Sequence, residues 1–166
     1  KLLKIDQSKT FFNFNMRFSQ FARVTSDYLN DGRLGDVVFA DAVTGHGLAF
    51  KPEYKGSWRS DRTRHKLGII ETVSIHHLDF FIRLFGAPTS QTVVTNLTLK
   101  EAGTAFDTSR VTVTFENGCI GSVTASYATP FIDNISLIGT EGILMMENGT
   151  IQVKGPRDSF DENGLF

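Results

Sequence analysis

Residues 109–127 read SRVTVTFENGCIGSVTASY. Val111, Val113 and Phe115 alternate with Thr112 and Thr114, and Ser122, Thr124 and Ser126 repeat at the same spacing. A period of two puts successive side chains on opposite faces of a strand. Between the two runs stands Asn117-Gly118, a pair that tolerates positive φ and favours a two-residue hairpin turn. The stretch predicts two antiparallel strands with one apolar face and one Ser/Thr face. The apolar face needs a second layer to cover it.

Downstream the same period continues over 132–138, 143–147 and 151–154, with a second hairpin pair at Asn148-Gly149 and a tight turn between Gly139 and Gly142. Upstream, 92–99 reads as a further strand. The covering layer comes earlier still. Over 70–85, Leu78, Phe81, Ile82 and Phe85 form the apolar stripe of a helix stopped by Gly86 and Pro88. Phe18, Phe21, Ala22, Thr25, Tyr28 and Leu29 mark another helix, with Gly32 suited to its left-handed cap. Residues 11–16, FFNFNM, alternate like a strand, and 35–44 read as a strand with Val37, Phe39 and Asp41 on one face. Residues 45–66 show no period, and loops of that length are often functional. Helices followed by a strand meander give an α+β class: a two-layer sandwich, a mostly antiparallel open-faced β-sheet with helices packed on one face.

The totals exclude several classes. The chain has 166 residues, 40% apolar and 21% charged, which is ordinary globular usage. A net charge of −1 gives no electrostatic case for nucleic acid or an anionic membrane. No apolar run approaches the roughly 20 residues that span a bilayer. The one cysteine, Cys119, rules out an internal disulfide framework and suits a reducing, cytoplasmic setting. It begins a strand with no base beside it, which suits a strand residue better than a nucleophile. There is no Walker A, GxSxG, HExxH or CxxC pattern, and no GxGxxG follows a strand.

Chemistry concentrates in ETVSIHHLDFFIRLFG, residues 71–86. On a helix, Thr72, His76, Asp79, Phe80 and Arg83 share a stripe, while His77 leans toward the apolar side. Asp79 one turn on would orient the His76 ring for proton transfer near neutral pH. The competing reading is a helical His–Asp pair that contributes a few tenths of a kcal/mol and nothing else. No metal is expected, because adjacent helical histidines point about 100° apart. The Ser/Thr sheet face is open to two readings as well: solvated, or packed on another domain or subunit.

The ordered set Gly32, Leu34-Gly35, Trp58-Arg59-Ser60-Asp61, Gly68, His76-x-x-Asp79 and Leu84-Phe85-Gly86 resembles the C-terminal domain of the Gfo/Idh/MocA oxidoreductases. Asn15-Met16-Arg17-Phe18 resembles the lead-in to that domain, and Phe115-Glu116-Asn117-Gly118 and Ile138-Gly139-Thr140-Glu141-Gly142 resemble its later hairpins. The resemblance implies a parent enzyme that oxidises or reduces a sugar, inositol or related polyol by hydride transfer. NAD or NADP would be bound mainly by a separate Rossmann domain, of which 1–16 would be the last strand and linker. Residues 17–166 would be the substrate-binding and oligomerisation domain, cut short at its C-terminus and inactive alone. His76 would exchange the hydroxyl proton, with Asp79, Arg59, Trp58 and Thr72 holding substrate. Lys55 and Arg59 would suit an anionic group. The Ser/Thr face would make a homo-oligomer. The family often has an aspartate four residues before the histidine. Thr72 stands there, with Glu71 beside it, and threonine cannot be an ionised partner. A catalytically silent binding or dimerisation domain is the alternative.

Overall fold

A computed structural model describes residues 12–156. Two helices, α1 Gln20–Asn30 and α2 Ser74–Phe85, accompany seven strands. The strands are β1 Val37–Gly45, β2 Pro88–Asn96, β3 Thr108–Phe115, β4 Ile120–Ser126, β5 Ile132–Gly139, β6 Ile143–Glu147 and β7 Thr150–Lys154. They form one sheet in the order β2-β3-β4-β1-β5-β6-β7. Only the β1–β4 pair is parallel. The expected α+β sandwich is therefore the observed one.

The β3–β4 alternation works as the sequence predicts. Val111, Val113, Phe115, Val123 and Ala125 are buried, and Ala40, Ala42, Ile135, Leu137 and Leu144 extend the apolar face across the sheet. Phe21 of α1 and Phe80 and Phe81 of α2 cover it. Burying one such phenylalanine stabilises the fold by about 1.5–3 kcal/mol. Helix α1 ends in a Schellman motif: Gly32 at φ +67° lets Arg33 N–H reach the Tyr28 carbonyl and Gly32 N–H the Leu29 carbonyl.

Five local expectations change. The helix expected from residue 70 begins at Ser74, after a 3₁₀ turn over Gly68–Glu71. Ile69 N–H donates to the Phe106 carbonyl, and a Cβ on Gly68 would meet that same oxygen at 2.2 Å. This contact pins the segment to a neighbouring loop before the α-helix can wind. On α2 itself, Phe80 is buried against Phe21 of α1, whereas Ile82 is 42% exposed. The buried stripe is thus rotated relative to the expected one, because α1 packs on the Phe80 flank.

In β1 a bulge between Val37 and Phe39 reverses the alternation. Val37 joins the core, while Phe39, Asp41 and Val43 lie on the open face. Residues 12–14 join no strand and Asn15–Phe18 is a 3₁₀ turn. Arg17 and Ser19 amides bond locally to the Phe14 and Met16 carbonyls, and no ladder partner holds this segment extended. Phe11 lies outside the described residues, as do 1–10 and 157–166.

The two Asn-Gly pairs also differ. Asn148 (φ 46°) and Gly149 (φ 89°) make the expected two-residue turn. At Asn117-Gly118 only Gly118 has positive φ. There Gly118 N–H bonds the Phe115 carbonyl and Phe115 N–H the Cys119 carbonyl, closing a three-residue loop.

Candidate functional site

One cleft brings together two of the candidate residues, His76 and Thr72. Its walls are the end of β1 (Thr44, Gly45) with His46, the start of β5 with Phe131 and Asp133, and Thr72, Val73, His76 and His77 at the head of α2. Asn15 and Met16 of the first turn close one side, and the cleft holds about 250 Å³. His76 presents a ring whose buried Nδ1 has no hydrogen-bond partner. Its flank meets Phe14 edge-on, at 6.1 Å and 75°. His77 is only 5% exposed, with Nε2 at 4.0 Å from Asp133 Oδ1. Burial holds the His77 pKa below the usual histidine value, Asp133 pulls it upward, and neighbouring His76 adds to the lowering. The balance favours the neutral imidazole over the charged one.

Asp79 does not serve His76. Arg17 grips it through both carboxylate oxygens, Nε donating at 2.7 Å and Nη2 to the other oxygen. Arg17 also lies 5.0 Å from the Phe14 ring centroid. The Arg17–Asp79 clamp thus fixes the 3₁₀ turn, and with it Phe14, against α2. Thr72 sits before the helix rather than on its stripe, with φ −124° and ψ −26°. Its hydroxyl bonds the Tyr127 hydroxyl. Tyr127 is 1% exposed, between His46 (rings 5.0 Å) and Tyr54 (5.7 Å).

The Trp58-Arg59 loop reaches the same tyrosine. Burial raises the Tyr127 pKa, while the Thr72 bond and the Arg59 guanidinium act in the opposite direction. Arg59 packs 4.5 Å from the Trp58 centroid. Its carbonyl accepts from Tyr54 Oη at 3.3 Å and lies 2.9 Å from Nδ1 of buried His65. Arg59 therefore stands behind Thr72, linked through Tyr127, and Trp58 stands behind Arg59. Lys55 goes elsewhere, into a separate groove with Phe50, Lys51 and Glu101.

Arg17, His46, Tyr127 and Asp133 were not legible as site residues. They approach His76 and Thr72 only through the tertiary fold. Among the described residues no group of three or more His, Cys, Asp or Glu side chains converges as metal ligands would. The glycine-rich turn that follows β1, Gly45-His46-Gly47, leads only into the three-residue 3₁₀ turn Leu48–Phe50, so it offers no α-helix N-terminus to a dinucleotide pyrophosphate. No described helix is long and apolar enough to cross a membrane.

The profile of the GFO/IDH/MocA C-terminal domain matches residues 23–145. No curated protein matches the chain. Solved structures do. Levoglucosan dehydrogenase in complex with NADH and levoglucosan aligns with a TM-score of 0.77 at 21% identity, over 90% of this chain and 44% of that one. An oxidoreductase from Agrobacterium radiobacter, in complex with NAD+, L-tartaric acid and magnesium, aligns at 0.73 and 21%, over 87% and 43%. An NAD binding oxidoreductase from Klebsiella pneumoniae aligns at 0.75 and 22%, over 88% and 43%. At these identities the likeness carries the fold alone, and the chain spans less than half of each of these structures. The extent of the profile match decides the family: the chain belongs to the GFO/IDH/MocA C-terminal domains of oxidoreductases.

Proposed function

We propose that this domain forms the substrate wall of an NAD(P)-dependent oxidoreductase acting on a sugar, inositol or related polyol. The observation that carries the reading is His76: a cleft-lining imidazole with an unpartnered Nδ1, beside hydroxyl and carboxylate groups that suit a polyhydroxylated ligand. Nicotinamide would be held mainly by residues outside this domain and would exchange the hydride. The task of this chain is to bind the polyol, orient its carbinol carbon and accept or return the hydroxyl proton at His76. Phe14 limits the tilt of that ring, and the Arg17–Asp79 clamp holds Phe14 in place. Asp79 then acts through Arg17 rather than on substrate. Arg59 and Trp58 act through Tyr127 and Thr72.

The neighbours' ligands support this reading, since NADH with levoglucosan and NAD+ with tartaric acid accompany the same fold in other proteins. The test is reduction of NAD+ or NADP+ by the full-length parent across a panel of sugars, inositols and tartrate. Turnover of at least one polyol is expected. Absence of turnover across the whole panel would refute the reading.

A second reading, a silent binding or dimerisation module, draws on Thr72, whose hydroxyl is committed to Tyr127 where an acid would stand. The open sheet face bears on both readings. Phe39, Val43 and Ile120 are 43%, 41% and 40% exposed there, around Arg110, whose Nε donates to Ser122 at 3.1 Å. Burial raises the Asp41 pKa beside them, with Arg110 opposing. We propose this face as a homo-oligomer contact in a reducing, cytoplasmic setting. A strict monomer at high micromolar concentration by light scattering would refute the contact.

A further inference from the structure

We propose that His77 and Asp133 form a hydroxyl-binding subsite for an uncharged polyol, distinct from the proton-transfer role of His76. The proposal rests on the reading of the cleft as a polyol site. His77 is 95% buried by complement of its 5% exposure, yet it lines the cleft and its Nε2 has no hydrogen-bond partner. Such a side chain is costly to keep unless something bonds it. Asp133 stands opposite, its Oδ1 at 4.0 Å from that nitrogen. That span is too long for a direct bond. An oxygen about 2.8 Å from each atom would bridge it, the two bonds meeting at roughly 90°.

The chemistry selects the ligand. A neutral imidazole offers one N–H and one lone pair, and a carboxylate only accepts. A hydroxyl can donate to the carboxylate and bond the ring at the same time. A phosphate or carboxylate would face the Asp133 charge and is disfavoured. The Asp133 backbone is also held in place. Asp133 N–H donates to Asn148 Oδ1 at 3.0 Å and its carbonyl accepts from Asn148 N–H at 2.8 Å. In register, Asp133 faces Thr44 on β1, another residue of the cleft wall. The backbone that carries the carboxylate is thus fixed, while 36% of the side chain stays accessible to a ligand.

Histidine-selective ¹⁵N labelling of the full-length protein tests this with myo-inositol and levoglucosan as probes. The His77 Nε2 signal is expected to shift saturably with at least one of them. Asp133→Ala is expected to weaken that binding roughly 10- to 100-fold, the range for a bond to a charged group, with an unchanged melting temperature. His76→Ala is expected to keep the His77 shift. Inorganic phosphate at matched concentration is expected to leave the His77 signal in place. Binding that shifts His76 but not His77, full affinity in Asp133→Ala, or displacement of polyol by phosphate would overturn the subsite while leaving the polyol cleft standing. If neither probe shifts any cleft histidine, the cleft reading falls and the subsite falls with it.

Discussion

Replacing Tyr127 with Phe removes one oxygen from a buried position and leaves the ring where it is. The contacts to His46 at 5.0 Å and Tyr54 at 5.7 Å need only the ring and should persist. What is lost is the bond to Thr72 and the proximity of Arg59. A buried neutral hydrogen bond contributes about 1 kcal/mol net. Thr72 lines the cleft and its hydroxyl still faces the Ile69 carbonyl at 3.5 Å, so little further desolvation cost arises on that side. The expected loss is about 1 kcal/mol, or a fall in melting temperature of roughly 2–4 °C for a chain this size. Thr72→Val should likewise cost about 1 kcal/mol, because the Tyr127 hydroxyl, in a site only 1% exposed, keeps the Arg59 guanidinium as its partner. Urea denaturation of both single variants and the double variant closes a cycle. The bond predicts a double variant more stable than the sum of the singles by about 0.5–1 kcal/mol. Additivity within about 0.3 kcal/mol would show that Thr72 and Tyr127 are not coupled. The account of Thr72 as a residue locked into the wall would then be wrong.

Other consequences follow from the same geometry. Because the folded-state pKa of His77 lies below the usual value, its contribution is fully present above about pH 6.5 and is lost as pH falls through the unfolded value toward the folded one. Urea midpoints at pH 7.5 and 5.5 should therefore diverge less in His77→Gln than in wild type, and equal divergence would refute the assignment. Burial pushes the Cys119 thiol up to about 11, so a thiol reagent at pH 8 should label it only as fast as the protein unfolds; rapid stoichiometric labelling would contradict this. Asn148→Ala loses both a tolerated positive φ and the side-chain bond to Asp133, about 1 kcal/mol each, whereas Asn148→Gly keeps the first. Calorimetry should rank wild type above Asn148→Gly above Asn148→Ala.

The fold was legible because its strands announce themselves. Val111, Val113 and Phe115 alternate without interruption, and the turn residues stand between such runs. Parity failed where a single residue breaks the count, as at the β1 bulge that separates Val37 from Phe39. The face of α2 was misjudged because Phe80 and Ile82 are equally apolar in sequence. Only the position of α1, through Phe21, decides which one is buried. Helix geometry identified His77 as the more buried histidine, since its place relative to Phe81 is a local matter. The partners of the site were hidden for the opposite reason. Arg17 reaches Asp79 across 62 positions, and Thr72 reaches Tyr127 across 55. No local period can signal such pairs. Thr72 reads as part of the helical stripe because nothing in its neighbours shows that Phe106 pins the preceding turn.

The most direct measurement is the turnover of the full-length parent carrying His76→Ala, made with its best polyol and with cofactor saturating. His76 lines the cleft with an unpartnered nitrogen, and its loss should lower kcat about 10²- to 10⁴-fold, the range for a lost acid–base group. The substrate KM should change far less. Wild-type kcat in this variant would contradict the assignment of proton transfer to His76 and leave the domain as a binding module.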